Sequence, residues 1–255
     1  MKPRSRDARR ARPALGTLVE IRVPDFAGAA TAFDRAFAAV ERVHRLMSRQ
    51  VPDSDVARLN RAAPGALVAV DHWTWQVLKR AKEIHAATGG LFDCAAAPGK
   101  NGSSADLDLI DDRTVRMRRQ LVVSLDGIAK GFAVDHAVEA LRLAGARAGV
   151  VNAGGDLRVF GEEAQTVHVR HPRDPGCFVS IGMVTDGAVA TSARYFGNSN
   201  LIDPRSRRAR RTDWSATVIA GDCTTADALT KPCLLDRRAA PALTAGCSAR
   251  VVLLH

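Results

Sequence analysis

Tyrosine occurs once in 255 residues, and aromatic side chains make up only 5% of the chain. That scarcity leaves no interleaved basic and aromatic surface on which bases would stack, which argues against a nucleic-acid partner. No apolar run approaches the ~20 residues of a membrane-spanning helix. The basic start passes into Pro13-Ala14-Leu15-Gly16-Thr17-Leu18-Val19-Glu20, where a glycine and then a charge interrupt the apolar stretch that a secretory leader needs. The expectation is a cytoplasmic protein. Cysteine is sparse and odd in number, at positions 94, 177, 223, 233 and 247, with no C-x-x-C and no histidine at finger spacing. Neither a zinc module nor a complete disulfide frame is indicated, and the cysteines read as mostly buried thiols of a reducing compartment.

What is present is an ordinary globular composition, 46% hydrophobic and 25% charged, on a chain long enough for one large or two intertwined domains. Lysine and arginine number 37 against 27 acidic residues, a net charge of +10. Most of the excess lies in Lys2, Arg4, Arg6, Arg9, Arg10 and Arg12, and in Arg205, Arg207, Arg208, Arg210 and Arg211. Such clusters suit phosphates or anionic lipid, but they read more simply as a solvated tail and a solvated loop. Residues 1–12 are therefore expected to be a basic, disordered tail, and 13–255 a single domain.

Periodicity predicts a first strand over Leu15 to Val23 and a long amphipathic helix over Ala29 to Met47. A second long helix, Asp71 to Thr88, opens on an aspartate cap and stops at Gly89-Gly90. The stretch 99–112, rich in Gly, Ser, Asn and Asp, reads as a loop and an internal boundary. Thr114 to Met117 and Leu121 to Leu125 read as paired strands. A helix over Ile128 to Ala144 precedes a run of strands that lasts to Ala220, then a helix over Thr224 to Leu235 and a last strand at Arg250 to Leu254. Strands in runs, with no βαβ rhythm, predict an α+β fold.

The most informative stretch is Ser124-Leu125-Asp126-Gly127-Ile128-Ala129-Lys130-Gly131, a strand that turns directly into a helix. Unpaired backbone N–H groups at a helix start, a glycine that permits close approach and a lysine one turn in make a phosphate-binding arrangement. An aspartate cap with the lysine facing water is the plainer alternative. Neither a P-loop nor a Rossmann glycine pattern is present there. Asp156, after Gly154-Gly155, is placed either to fix a ribose or to hold its own loop.

Together with Leu15-Gly16-Thr17, Met47-Ser48 with Pro52-Asp53-Ser54, Gly89-Gly90-Leu91-Phe92-Asp93, Asn152-Ala153-Gly154-Gly155-Asp156, Leu201-Ile202-Asp203-Pro204 and Ala226-Asp227-Ala228-Leu229, this stretch resembles the ApbE family of FAD:protein FMN transferases. The ordered blocks run from about residue 13 to the C-terminus. The resemblance implies an ApbE-like, T-fold-like unit of two intertwined α/β subdomains with FAD between them. It also implies Mg²⁺-dependent transfer of FMN from FAD to a threonine or serine hydroxyl of an acceptor protein, with release of AMP. By the same resemblance Leu15, Gln50, Leu91, Phe92, Asp93, Ser124, Lys130, Asp156, Asn200 and Leu201 contact the cofactor. Gly127, through its carbonyl, Asp227 and the position of Lys231 face the metal, and Asp227 and Asn200 stand at catalytic positions.

Several positions depart from the family pattern. Leu15 replaces a methionine, Gln50 a tyrosine that packs on flavin, Ser124 an aspartate, Asn200 a histidine and Lys231 a metal-binding threonine. An ammonium at position 231 would repel a divalent ion, and weak Mg²⁺ dependence is the expectation. The alternative implied by these departures is a catalytically impaired flavin-binding or carrier protein.

Overall fold

The computed structural model describes residues 7–97, 101–174, 176–193 and 201–255. Strand β1 (Asp7–Ala14) turns at Leu15-Gly16 into β2 (Thr17–Pro24), followed by α1 (Ala29–Met47), α2 (Asp55–Arg61), β3 (Leu67–Ala69) and α3 (His72–Ala87). After β4 (Leu107–Leu109), β5 (Thr114–Met117) and α4 (Ala129–Leu143) come five strands without a helix: β6 (Gly149–Ala153), β7 (Asp156–Phe160), β8 (Gln165–Arg170), β9 (Phe178–Val184) and β10 (Gly187–Ser192). The remainder is β11 (Leu201–Asp203), β12 (Arg208–Arg210), β13 (Ser215–Ala220), α5 (Cys223–Leu235), α6 (Ala240–Ala245) and β14 (Arg250–Leu254).

Seven strands form one antiparallel sheet in the order β1-β2-β6-β7-β10-β13-β14. Strand β2 shows why one face is buried: Val19, Ile21 and Val23 alternate with Glu20 and Arg22, and all three valine and isoleucine side chains are inaccessible. Helices α4 and α5 pack on this sheet and on each other, and α1 packs on α4. β3, β5 and β4 make a small second sheet, while β8–β9 and β11–β12 are separate two-stranded ribbons. The α+β expectation holds.

Residues 7–12, expected in a disordered tail, are instead most of β1. Arg9 pairs with Glu20, Arg12 with Asp34 at 2.8 Å, and the guanidinium groups of Arg10 and Arg12 lie over the rings of Phe33 and Phe37. The positive charge that suggested a tail is used against α1 and β2. The first strand expected from Leu15 begins at Thr17, because Leu15 and Gly16, with φ of 54° and 70°, are the two central residues of a tight hairpin. β5 does not pair with 121–125, which is not a strand. There the Asn60 amide bonds both the N–H and the carbonyl of Val123, at 2.7 and 2.9 Å, while Leu121, Val123 and Leu125 are buried. The stretch read as a boundary loop contributes β4 and the buried Leu107; residues 98–100 lie outside the described ones. Of the cysteines, Cys94, Cys223 and Cys233 are buried, Cys247 is partly buried and Cys177 is exposed.

Candidate active site

Helix α4 starts at Ala129 without any side-chain cap on its own strand-side residues. Asp126, the expected cap, reaches across to Arg49 instead, at 2.9 Å. The cap comes from α5: Asp227 Oδ2 accepts the Gly131 N–H at 3.0 Å in a buried bond. A Cβ on Gly131 would lie 2.2 Å from the Cys223 carbonyl oxygen, so this glycine serves the close contact of α4 with α5 rather than the approach of an anion. The start of α5 is tied back in the same way. Asp135 of α4 accepts the N–H groups of Cys223 and Thr224, at 2.9 and 2.8 Å, and the Thr224 hydroxyl at 2.6 Å.

Lys130 reaches the cleft with 29% of its side chain exposed, but its ammonium is paired and not left to solvent alone. Its ammonium forms an ion pair with Asp156 at the start of β7, whose side chain is only 2% exposed. Burial pushes the Asp156 carboxyl up to about 7, and the negative charge of Asp227 adds to the rise while Lys130 opposes it. Burial pulls the Lys130 ammonium down, but Asp156 and Asp227 together hold it above its ordinary value. Lys130, Asp156 and Asp227 thus form one charged cluster at the junction of α4, α5 and the sheet. Of the two readings of Asp156, the contact with Lys130 joins it to this cluster.

Two clefts open around the start of α4. One, of about 310 Å³, is lined by Leu91, Phe92, Asp93, Ser124, Gly127 and Lys231, with Ile202 and Pro204 of the β11–β12 ribbon at its edge. The other, of about 500 Å³, is lined by Leu15, Gly16, Met47, Ser48, Gln50 and Lys130. Arg49 and Asp126 line both. The residues singled out in the sequence are therefore gathered from five separate segments, with Asp156 and Asp227 buried beneath them. Leu201 is half-buried in the ribbon and packs on the core beside the cleft. Asn200 lies outside the described residues.

Asp93 reaches the cleft wall but spends Oδ1 on Ala95 N–H, Ser104 N–H and the Ser104 hydroxyl, at 2.8, 2.9 and 2.7 Å. Its carboxylate holds the loop that shapes the cleft. Lys231 extends from α5 toward α4, with Nζ 3.1 Å from where a Gly127 Cβ would stand, and it has no carboxylate partner among the described residues. Thr230 is turned away, its hydroxyl bonded to Ser192 and to the Asp227 carbonyl, both at 2.8 Å. Burial pushes the Cys94 thiol at the cleft wall up to about 11, which leaves it a poor nucleophile. The pairing of Arg49 with Asp126 and their place in both cleft linings were not read from the sequence, because nothing in either local pattern indicates that the two turns face each other.

A sequence model described as the ApbE family matches residues 15–250. An FAD:protein FMN transferase of Treponema pallidum is 28% identical over 91% of this chain and 79% of its own length. A protein of the same name from Rhodobacter capsulatus is 29% identical over 93% of this chain, which spans about half (53%) of that protein. Among solved structures, the ApbE protein of Thermotoga maritima superposes with a TM-score of 0.85 at 26% identity, covering 97% of this chain and 94% of that one.

Proposed function

This chain belongs to the ApbE family, and from that membership we infer that it is a flavin transferase that takes FAD as substrate and attaches FMN to an acceptor protein. The observation that carries the assignment of the site is the pair of adjoining clefts at the start of α4. They gather Leu15, Gln50 and Lys130 on one side, and Leu91, Phe92 and Gly127 on the other. FAD lies across both, its pyrophosphate at the junction.

In the transfer, the hydroxyl oxygen of an acceptor threonine or serine forms a bond to the FMN-side phosphorus. The bond from that same phosphorus to the bridging oxygen of the anhydride breaks, and AMP leaves carrying the bridging oxygen. The proton of the hydroxyl goes to Asp227 Oδ1, which accepts no hydrogen bond among the described residues, Oδ2 being held by Gly131. Lys130 and Lys231 supply fixed positive charge beside the phosphates as negative charge shifts to the leaving group. Position and charge account for most of the acceleration of phosphoryl transfer.

Magnesium fits this donor set poorly. Mg²⁺ takes six oxygens in near-octahedral geometry, from one or two carboxylates, substrate phosphates and retained waters. The Gly127 carbonyl and Asp227 Oδ1 are two, and Thr230 is committed to Ser192. Lys231 brings an ammonium, which has no lone pair to give. The Lys231 ammonium is proposed to provide in the protein the positive charge that a metal ion would bring.

The test is incubation of purified protein with FAD and an acceptor protein, followed by chromatography for AMP and mass spectrometry of the acceptor. One AMP released for each FMN attached is the expected result. FAD retained without AMP release indicates the flavin-binding or carrier reading instead, which the departures at Gln50 and Ser124 would then explain.

A further inference from the structure

Among the described residues the two clefts share Arg49 and Asp126, and these two side chains are bonded to each other, Arg49 Nη2 to Asp126 Oδ2 at 2.9 Å. Each sits on a separately braced turn. The Arg49 turn follows α1, where the Ser54 hydroxyl bonds the Ser48 carbonyl at 2.6 Å and Gln50 N–H bonds the Ser48 hydroxyl at 3.2 Å. The Asp126 turn precedes α4 and is closed by Ile128 N–H to the Leu125 carbonyl at 3.0 Å. The ion pair thus bridges two rigid supports at the neck between the clefts.

Its side chains are 48% and 61% exposed, so the bond contributes little to folding and is readily exchanged. A guanidinium presents five donors in a planar fork that matches a phosphate at least as well as a carboxylate. Asp126 in turn places a negative charge where a bridging pyrophosphate would pass. A ligand confined to one cleft leaves the pair closed; a dinucleotide spanning both must meet it.

We propose that Arg49 is a substrate-recognition residue for the pyrophosphate of FAD, and that Asp126 holds it in the neck until the substrate's phosphates displace the carboxylate. The proposal rests on the reading that FAD spans the two clefts. It deepens that reading by assigning the discrimination of the dinucleotide from its unphosphorylated flavin half to an ion pair that opens.

The two partners then have opposite effects, which a structural clamp would not give. Calorimetric titration of the full chain with FAD and, separately, with riboflavin distinguishes the cases for wild type, Arg49→Gln and Asp126→Asn, with melting temperatures confirming that each variant is folded. Arg49→Gln is expected to weaken FAD about tenfold or more, through loss of charge-assisted bonds. Asp126→Asn is expected to tighten FAD by about threefold to tenfold, through loss of the competing charge. Riboflavin affinity should be the same in all three. Weakening of FAD by both substitutions, or an equal loss of riboflavin, overturns the proposal while leaving FAD binding itself intact. Absence of FAD binding by the wild type removes both this proposal and the reading it rests on.

Discussion

The carboxylate of Asp227 on α5 caps Gly131 on α4, at 3.0 Å from its N–H, across an interface where a Gly131 side chain would collide with the Cys223 backbone carbonyl. A helix start that resembles an anion cradle in the sequence is therefore already occupied by a carboxylate of the same chain. Gly131→Ala is expected to destabilise the fold by about 2–4 kcal/mol, since neither backbone segment can yield without moving a helix. Urea unfolding of the variant checks this; a loss under 0.5 kcal/mol would mean the two helices shift apart freely.

Removing Lys130 should act on stability as well as on FAD. Lys130→Met leaves Asp156 and Asp227 buried without their shared cation, at a cost of about 3 kcal/mol when both are ionised. The loss should be smaller at about pH 5, where Asp156 is protonated, than at about pH 8. Denaturation curves at the two pH values decide it, and an equal loss at both would contradict the cluster.

Asp156 itself gives the wild type a defined pH dependence. Its carboxyl is raised from 3.8 to about 7 in the folded protein, so between those values the folded state holds a proton that the unfolded state has released. Stability should therefore fall as pH rises through that interval, by about 2–4 kcal/mol, and level off above it. Asp156→Asn should flatten that slope. A variant whose pH profile parallels the wild type would show that the slope has another source.

Lys231→Thr replaces the ammonium that faces Gly127 with a neutral oxygen one helical turn from Asp227. Calorimetric titration should show weak Mg²⁺ binding in the wild type and tighter binding, by about tenfold or more, in the variant. Tight binding in both would mean that Lys231 swings clear of the ion.

The long helices were legible because their apolar spacing and caps are local: α1 runs over the residues that periodicity predicts, and Asp71 does cap α3 through Trp73 N–H at 2.9 Å. β1 was not, because its ordering depends on partners 11 and 22 residues away, Glu20 and Asp34. The strand-like 121–125 was misread because its alternation is real but its hydrogen-bond partner is the Asn60 side chain instead of a second strand. Site residues fared similarly. The cleft-lining positions follow from ordered motifs, whereas the inward pairing of Lys130 with Asp156 and the Arg49–Asp126 bridge join segments far apart in sequence, which no local pattern encodes.

The measurement that bears most directly on the proposed site is AMP release from FAD in the presence of excess chelator and an acceptor protein, comparing wild type with Lys231→Met. With a lysine ammonium in the place of the metal ion, the wild type is expected to release AMP in chelator at the rate seen with added Mg²⁺, and Lys231→Met is expected to release about tenfold less or lower still. AMP release by the wild type only when Mg²⁺ is supplied, with Lys231→Met as active as the wild type, would contradict it.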